Sequence, residues 1–282
     1  MIPLLVHIQA NLDGDLGLAA ISRRARLSPF HLQRRFKAAV GETPKAYTSR
    51  LRLERAAFQL LVHDAKVIEV ALECGYRSHE TFTRAFRRRF GRSPSEYREL
   101  QRKAARRPEG GAPAETLDLS GQRYELSATR VVRLRPQHLA FRRHVGPYES
   151  VPETLFDELE RWARRRRLAG PRVFLGIGHD APITTPPERL RFDAALVVPG
   201  PFERAGRIGY QLFPGGLHAV TTHAGPDDTL PLAYAAIFPR VTALRGYRLV
   251  GLPAVEIYHS ARVNARYALE HTDICLPVTP TR

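Results

Sequence analysis

The chain has 282 residues, 43% hydrophobic and 26% charged, a mixture that fills about two globular domains and excludes a disordered chain. Its 44 Lys+Arg against 28 Asp+Glu give a net charge of +16, which asks for an anionic partner. No uninterrupted apolar run reaches membrane-spanning length, and Met1–Ala10 lacks the basic n-region and cleavage site of an export signal. Cys74 and Cys275 lie too far apart to suggest a disulfide framework or a zinc site. The expectation is a soluble cytoplasmic protein with no membrane partner, no cofactor and no metal.

The charge is uneven along the chain. Residues 1–107 hold 22 Lys+Arg and 10 Asp+Glu, a net +12, and the remainder carries +4. This asymmetry points to nucleic acid or an acidic surface as partner of the N-terminal part. The plainer reading is an arginine-rich composition, since only four of the 44 basic residues are Lys. Position has to decide.

In chain order, Leu18–Ala25 reads as a short helix and Arg26-Leu27-Ser28 as a turn. Ser28 then caps a second helix, with Pro29 at its first position and Gly41 as its stop. Leu32, Phe36 and Ala39 form the buried stripe, leaving Phe30, Gln33, Arg34 and Lys37 on the opposite face. Lys45–Leu61 reads as one continuous helix of roughly 25 Å, with Ala46, Leu53, Ala57 and Leu60 or Leu61 near one face. Val67–Cys74 is the next short helix, Gly75 lies in its turn, and His79–Phe90 follows, stopped by Gly91. There Phe82, Phe86 and Phe90 face inward, and His79, Glu80, Thr83, Arg84 and Arg87 face out.

The two stretches repeat. At an offset of 50, Arg34, Phe36, Gly41, Pro44 and Tyr47 match Arg84, Phe86, Gly91, Pro94 and Tyr97; upstream the offset becomes 49. Helix, tight turn and helix, twice, is the arrangement whose second helix enters the major groove and reaches base edges. Gln and Arg pair bidentately with adenine and guanine. Any single exposed arginine is as readily a solvated side chain, and Arg87-Arg88-Arg89 reads as phosphate contact plus a solvated face. A duplicated set on both reading faces favours DNA.

These residues carry a specific resemblance. Residues 1–100 resemble the DNA-binding domain of the AraC/XylS family of bacterial regulators. The likeness lies in Leu27-Ser28-Pro29, His31–Phe36, Arg52–Ala56, Val70–Tyr76, Phe82–Phe86 and Phe90–Tyr97. It implies base readout by Phe30, Gln33 and Arg34 in the first unit and by His79, Glu80, Thr83 and Arg84 in the second. Two departures stand out: Arg26 occupies the turn position where glycine is usual, which strains the turn, and His79-Glu80 replace the usual amides.

Residues 101–115 are rich in Gly, Pro and charge, and read as a flexible linker. Residues 116–282 are again duplicated: His144-Val145-Gly146-Pro147 recurs as His223-Ala224-Gly225-Pro226, and Asp193 as Asp273. Each copy reads strand, helix, strand, strand. The first is Leu139–His144, Val151–Leu168, Val173–Ile177 and Phe192–Val198; the second is His218–His223, Leu230–Leu244, Leu249–Tyr258 and Asp273–Val278. The fold class expected is thus α + α/β in two domains, an all-α double helix-turn-helix followed by an α+β duplicated module. A groove at the junction of the copies is a natural ligand location. Alternation puts Glu256 and Tyr258 on one side of their strand, facing either that groove or solvent.

This part resembles the gyrase-inhibitor-like effector-binding domain of multidrug-responsive regulators. The residues are His144–Tyr148, Trp162, Thr185–Glu188, Arg191–Asp193, His223–Pro226, Pro253, Glu256, Tyr258 and Pro277-Val278. The resemblance implies that Glu256 lies in an aromatic pocket for lipophilic, often cationic compounds, with Tyr148, Trp162 and Tyr258 as walls. The reader-first, sensor-second order resembles the right-origin-binding type of regulator. The expectation is a non-enzymatic, nucleoid-associated transcription regulator that binds double-stranded promoter DNA, a small organic effector and RNA polymerase. The alternatives are a hydrolase using Glu256 as general base, against which stands the lack of a nucleophile elbow or metal spacing, and a module for a protein partner.

Overall fold

The structure, a computed structural model, describes residues 1–105, 124–203, 206–251, 253–259 and 271–281; of 101–105 it describes the backbone alone. The chain divides into two compact units, Met1–Arg107 and Pro108–Arg282. Of the linker expected at 101–115, residues 101–105 continue a helix and the rest lies outside the described residues.

The first unit is all helix: α1 (Ile2–Ala10), α2 (Leu18–Ala25), α3 (Pro29–Val40), α4 (Pro44–Val62), α5 (Val67–Glu73), α6 (His79–Phe90) and α7 (Pro94–Ala105). Short polar side chains start the helices that matter most. Ser28, Thr43 and Ser78 accept hydrogen bonds from the N–H of His31, Ala46 and Thr81 at 3.2–3.3 Å. Ser93 and Glu96 form a reciprocal capping box at the head of α7. Gly41 and Gly91 end α3 and α6 in the left-handed region, at φ +83° and +73°. The turn residue Arg26 adopts φ +52°, and its counterpart Gly75 adopts φ +78°. The strain expected of an arginine at that turn is therefore present.

Helix α4 is buried on nearly every side because it serves two cores. Tyr47 and Leu51 pack with Leu4, Ile8, Ile21, Leu32 and Phe36 in the first. Leu53, Ala56, Ala57 and Leu60 pack with Val70, Phe82, Phe86 and Tyr97 in the second. Its Arg52 donates to the carbonyls of Leu12 and Gly14 at 2.7 and 2.6 Å, tying the α1–α2 loop to the middle of the unit. Glu54, 4% exposed, accepts from Arg50 at 3.1 Å and Arg89 at 3.3 Å, while Arg50 also pairs with Glu42.

Four sequence expectations need correction here. Ala39 is exposed, because the buried stripe continues at the i+4 position, Val40. Ala46 is exposed, because its neighbour Tyr47 takes the inward place. Phe90 is only half-buried, with its ring on Phe86 and Tyr97 at 4.6 and 5.4 Å. Arg89 turns inward to Glu54 rather than joining a solvated face. Helix α1 went unanticipated, since its segment is apolar on almost all sides and its helical period is faint.

The second unit contains β1 (Glu125–Leu126), β2 (Arg130–Leu134), β3 (Gln137–Val145), α8 (Thr154–Arg165), β4 (Phe174–Gly178), β5 (Arg191–Val198), β6 (Gly209–Phe213), β7 (Gly216–Ala224), α9 (Leu230–Thr242), β8 (Tyr247–Leu249), β9 (Ala254–Tyr258) and β10 (His271–Pro280). One antiparallel sheet runs β1-β7-β10-β9-β4-β5-β3-β6, with β2 also on β7 and β8 on β10. The expected copies are β3-α8-β4-β5 and β7-α9-β9-β10. Strands β1, β2 and β6 lie outside that expectation. The run Leu249–Tyr258 breaks into β8 and β9 around Gly251, at φ +101°, and Pro253. Helix α8 is shorter than the expected Val151–Leu168, since Val151 is extended after a 3-10 turn at Tyr148–Ser150 and Arg167, at φ +52°, breaks the helix at its other end.

The copies meet at the β4–β9 pair, where Phe174, Gly176 and Gly178 face Tyr258, Glu256 and Ala254. Residues 176 and 256 are also repeat mates at an offset of 80, so the pseudo-twofold axis passes between them. On the other face of the sheet lies a buried polar cluster. Arg143 grips Asp193 through two hydrogen bonds of 2.7 Å, and His179 and Gln211 reach the same carboxylate at 2.7 and 3.0 Å. Asp193 is fully buried, which by itself would raise its pKa, but the charges and hydrogen bonds of Arg143 and His179 together outweigh desolvation and hold it well below the usual carboxylate range.

Candidate functional site

In the first unit, the caps and the buried phenylalanines fix the rotation of α3 and α6 and hence what they present. On α3, Phe30 is 71% exposed, and Gln33, Arg34 and Lys37 are exposed beside it. On α6, His79, Glu80, Arg84 and Arg87 are exposed as expected. Thr83 differs: it is half-buried, and its hydroxyl oxygen is sealed off with no hydrogen-bond partner. The position lies one residue from Phe82, close enough to the inward stripe to be partly covered. Hydrogen bonds near the head of α6, from its backbone first and from Ser78 next, hold the Glu80 carboxyl below its ordinary pKa, so it stays an acceptor at neutral pH. The outward face of each helix thus carries both hydrogen-bonding groups and cations.

In the second unit, Glu256 stands on the pseudo-twofold axis and points to the side that carries both helices. Tyr258, two residues along β9, donates to Glu256 Oε2 at 2.5 Å. Tyr234, from α9, donates to Oε1 at 3.0 Å. Burial, and after it the charge of Glu256, pushes the Tyr234 hydroxyl well above the ordinary phenol range, so it remains a donor. Phe156, from α8, sets its ring edge-on to Tyr258 at 5.6 Å. Phe192 from β5 and Tyr148 complete the aromatic surround, 6.1 Å apart in a T-shaped pair.

The carboxylate fits because its repeat mate is glycine. A Cβ on Gly176 would collide with the Tyr258 hydroxyl and lie 2.6 Å from Phe192 Cζ and 2.8 Å from Glu256 Oε2. Tyr148 is pinned from below: its hydroxyl donates to the Asp180 carbonyl at 2.7 Å and accepts from the Asp180 N–H at 3.0 Å. Asp180 is in turn held by Arg191 through its side chain and backbone at 2.5–2.8 Å. A preformed carboxylate within an aromatic box attracts a cation by charge and by the ring faces together.

Of the expected pocket residues, Glu256, Tyr258 and Tyr148 converge. Trp162 belongs to the same core as Tyr258, but its ring takes Phe202 at 4.8 Å and the Arg166 guanidinium at 4.9 Å as partners. The sequence reading missed Tyr234, Phe156, Phe192 and Gly176. One signal for them lay in the repeat: an offset of 80 sets Glu256 on Gly176, and an offset of 78 sets Tyr234 on Phe156.

Comparison with known proteins agrees with both halves. Residues 21–100 match a helix-turn-helix domain family, and residues 127–279 match the GyrI-like small molecule binding domain family. The regulatory protein SoxS of Escherichia coli (strain K12) is 34% identical over 95 residues, which cover 34% of this chain and 89% of that protein. The right origin-binding protein of the same strain is 36% identical over 95 residues, 34% of this chain. The match spans 33%, about a third, of that relative's own length. Among solved structures, the DNA-binding domain of AdpA in complex with a target DNA is 32% identical and covers 39% of this chain and 96% of that chain, with a TM-score of 0.36. With a reader of the SoxS kind at one end and a domain of the GyrI-like kind filling more than half its length, the chain belongs to the AraC/XylS family, in the branch that carries a GyrI-like small-molecule-binding domain.

Proposed function

We propose that the protein is a ligand-responsive regulator of bacterial transcription. It reads double-stranded promoter DNA with α3 and α6 and senses a small lipophilic cation at Glu256. The DNA half of this reading rests on the duplicated, capped helices whose outward faces carry Phe30, Gln33, Arg34 and Lys37 in one copy and His79, Glu80, Arg84 and Arg87 in the other. Helix α4, 19 residues long, spans about 28 Å, which suits a spacing of about one DNA turn, ~34 Å, between successive major-groove segments. The protein acts in the cytoplasm, on the nucleoid, and meets RNA polymerase at the promoter.

The sensing half rests on one observation: a carboxylate held by two tyrosyl hydroxyls inside an aromatic surround. A ligand there regulates DNA binding only by favouring one state of the protein over another. Both Glu256 oxygens already accept hydrogen bonds, an arrangement suited to holding a charge rather than to taking a proton from water. For that reason we read the domain as a sensor and not as a hydrolase.

The test uses an operator fragment selected from random-sequence DNA and tetraphenylphosphonium as probe. The cation is expected to bind, to be recovered unchanged and to shift operator affinity, and Glu256→Gln is expected to weaken its binding at least tenfold. Turnover of the compound supports the hydrolase instead. A response confined to organic anions that persists in Glu256→Gln removes the carboxylate from ligand recognition, and co-purification of a protein without ligand supports the partner-binding alternative.

A further inference from the structure

The first helix-turn-helix unit contains a cavity that neither the outward faces of α3 and α6 nor the Glu256 cluster uses. It measures about 440 Å³ and lies between α1, the last turn of α2, the reading turn and α3, within the roughly 300–1,000 Å³ range of small-ligand sites. Leu4, Leu27 and Leu32 give it an apolar floor, and Arg24 and Arg35 stand at its rim. Leu4 and Leu32 are buried, while both arginines are exposed.

The charge around it is one-sided. No Asp or Glu occurs in α1, α2 or α3. Asp15, in the loop before α2, turns its carboxylate to the Gly17 N–H. Among the described residues no carboxylate partners Arg24 or Arg35. His7, near Arg24, is held below its ordinary pKa by burial and then by that arginine, so it stays neutral and the charge there is that of the guanidiniums. Two guanidiniums over leucines match one ligand chemistry: a planar anionic head that accepts bidentate hydrogen bonds, on an apolar tail.

We infer that this cavity binds a small amphipathic monocarboxylic acid, its carboxylate on Arg24 and Arg35 and its tail on Leu4, Leu27 and Leu32. The site is separate from the Glu256 cluster and does not rest on the sensing role proposed for that carboxylate. Because Leu27 belongs to the reading turn and Arg35 to α3, an occupant braces the element that enters the groove and neutralises two cations beside it. The acid is therefore expected to lower DNA affinity.

The experiment titrates the full-length protein with sodium decanoate below its micellar concentration, by calorimetry, with decylammonium as control. Saturable decanoate binding is expected, at least tenfold tighter than decylammonium. It should weaken at least tenfold in the Arg24→Gln/Arg35→Gln double variant, whose melting temperature should stay close to that of the parent, and persist in Glu256→Gln. Failure of decanoate to bind, equal binding of decylammonium, or unchanged binding in the double arginine variant each overturn the proposal. So does loss of decanoate binding in Glu256→Gln alone, which moves the acid to the second unit. A double variant that loses DNA affinity yet keeps decanoate assigns both arginines to phosphate only, and also overturns it.

Discussion

Gly176 and Glu256 are at once cross-strand partners and repeat mates, and the carboxylate of one fills the space left by the missing side chain of the other. Two identical residues facing each other on the axis would either repel, as acids, or leave a gap, as glycines. The duplicated domain has resolved this by breaking its symmetry at one position. Gly176→Ala is accordingly expected to displace Tyr258 and Glu256 and to lower stability by about 1–3 kcal/mol, the usual range for overpacking. Urea unfolding measures the first effect, and a tenfold or greater loss of tetraphenylphosphonium affinity in calorimetry measures the second.

The turns of the two reading units offer a paired test of backbone strain. Arg26 occupies left-handed φ/ψ, which costs an ordinary L-residue roughly 1–2 kcal/mol relative to glycine. Arg26→Gly should therefore stabilise the protein by about 1 kcal/mol, after the extra chain entropy of glycine is discounted. Gly75→Ala should do the opposite and more strongly, since its Cβ would also come within 2.6 Å of the Leu12 carbonyl oxygen. Urea midpoints of the N-terminal transition decide both.

Arg34, exposed on α3, is expected to read a base edge. Arg34→Ala should cost about 1–3 kcal/mol on the selected operator and relax preference at one base pair. A loss of the same size on every DNA sequence in a competition assay would confine Arg34 to phosphate.

Acid should weaken the second unit in two stages. Burial holds His179, His218 and His223 below the ordinary histidine value. The unfolded chain therefore takes up protons as pH falls below about 6.5 while the folded histidines stay neutral, and stability drops. Asp193, lowered by Arg143, contributes stability above about pH 4 that is lost at lower pH. The urea midpoint should fall from pH 7.5 to pH 5.5, and His179→Gln should flatten part of that slope.

Local signals carried the reader. Ser28, Pro29 and Gly41 punctuate α3 so clearly that its bounds follow from them, and Ser78 and Gly91 do the same for α6. Tertiary choices were less legible. Whether Ala39 or Val40 continues a stripe depends on where α4 lies, and the covering of Thr83 depends on neighbours that no local period encodes. In the second unit, alternation found the face of Glu256 but not its company. Tyr234 arrives from another helix, 22 residues away in the chain, and only the strand register brings Gly176 beneath it. Trp162 was a natural choice for an aromatic wall, and in the fold it stacks elsewhere.

Helix α4 also governs how the reader comes apart. Because one helix supplies walls to both hydrophobic clusters, and Arg52 binds the α1–α2 loop to its middle, neither head has a boundary along which it could melt while the other endures. Amide protons deep in α2 and α6 should thus share a single opening free energy. A lesion in one head disarms both, and a half-reader able to occupy half an operator has no stable existence.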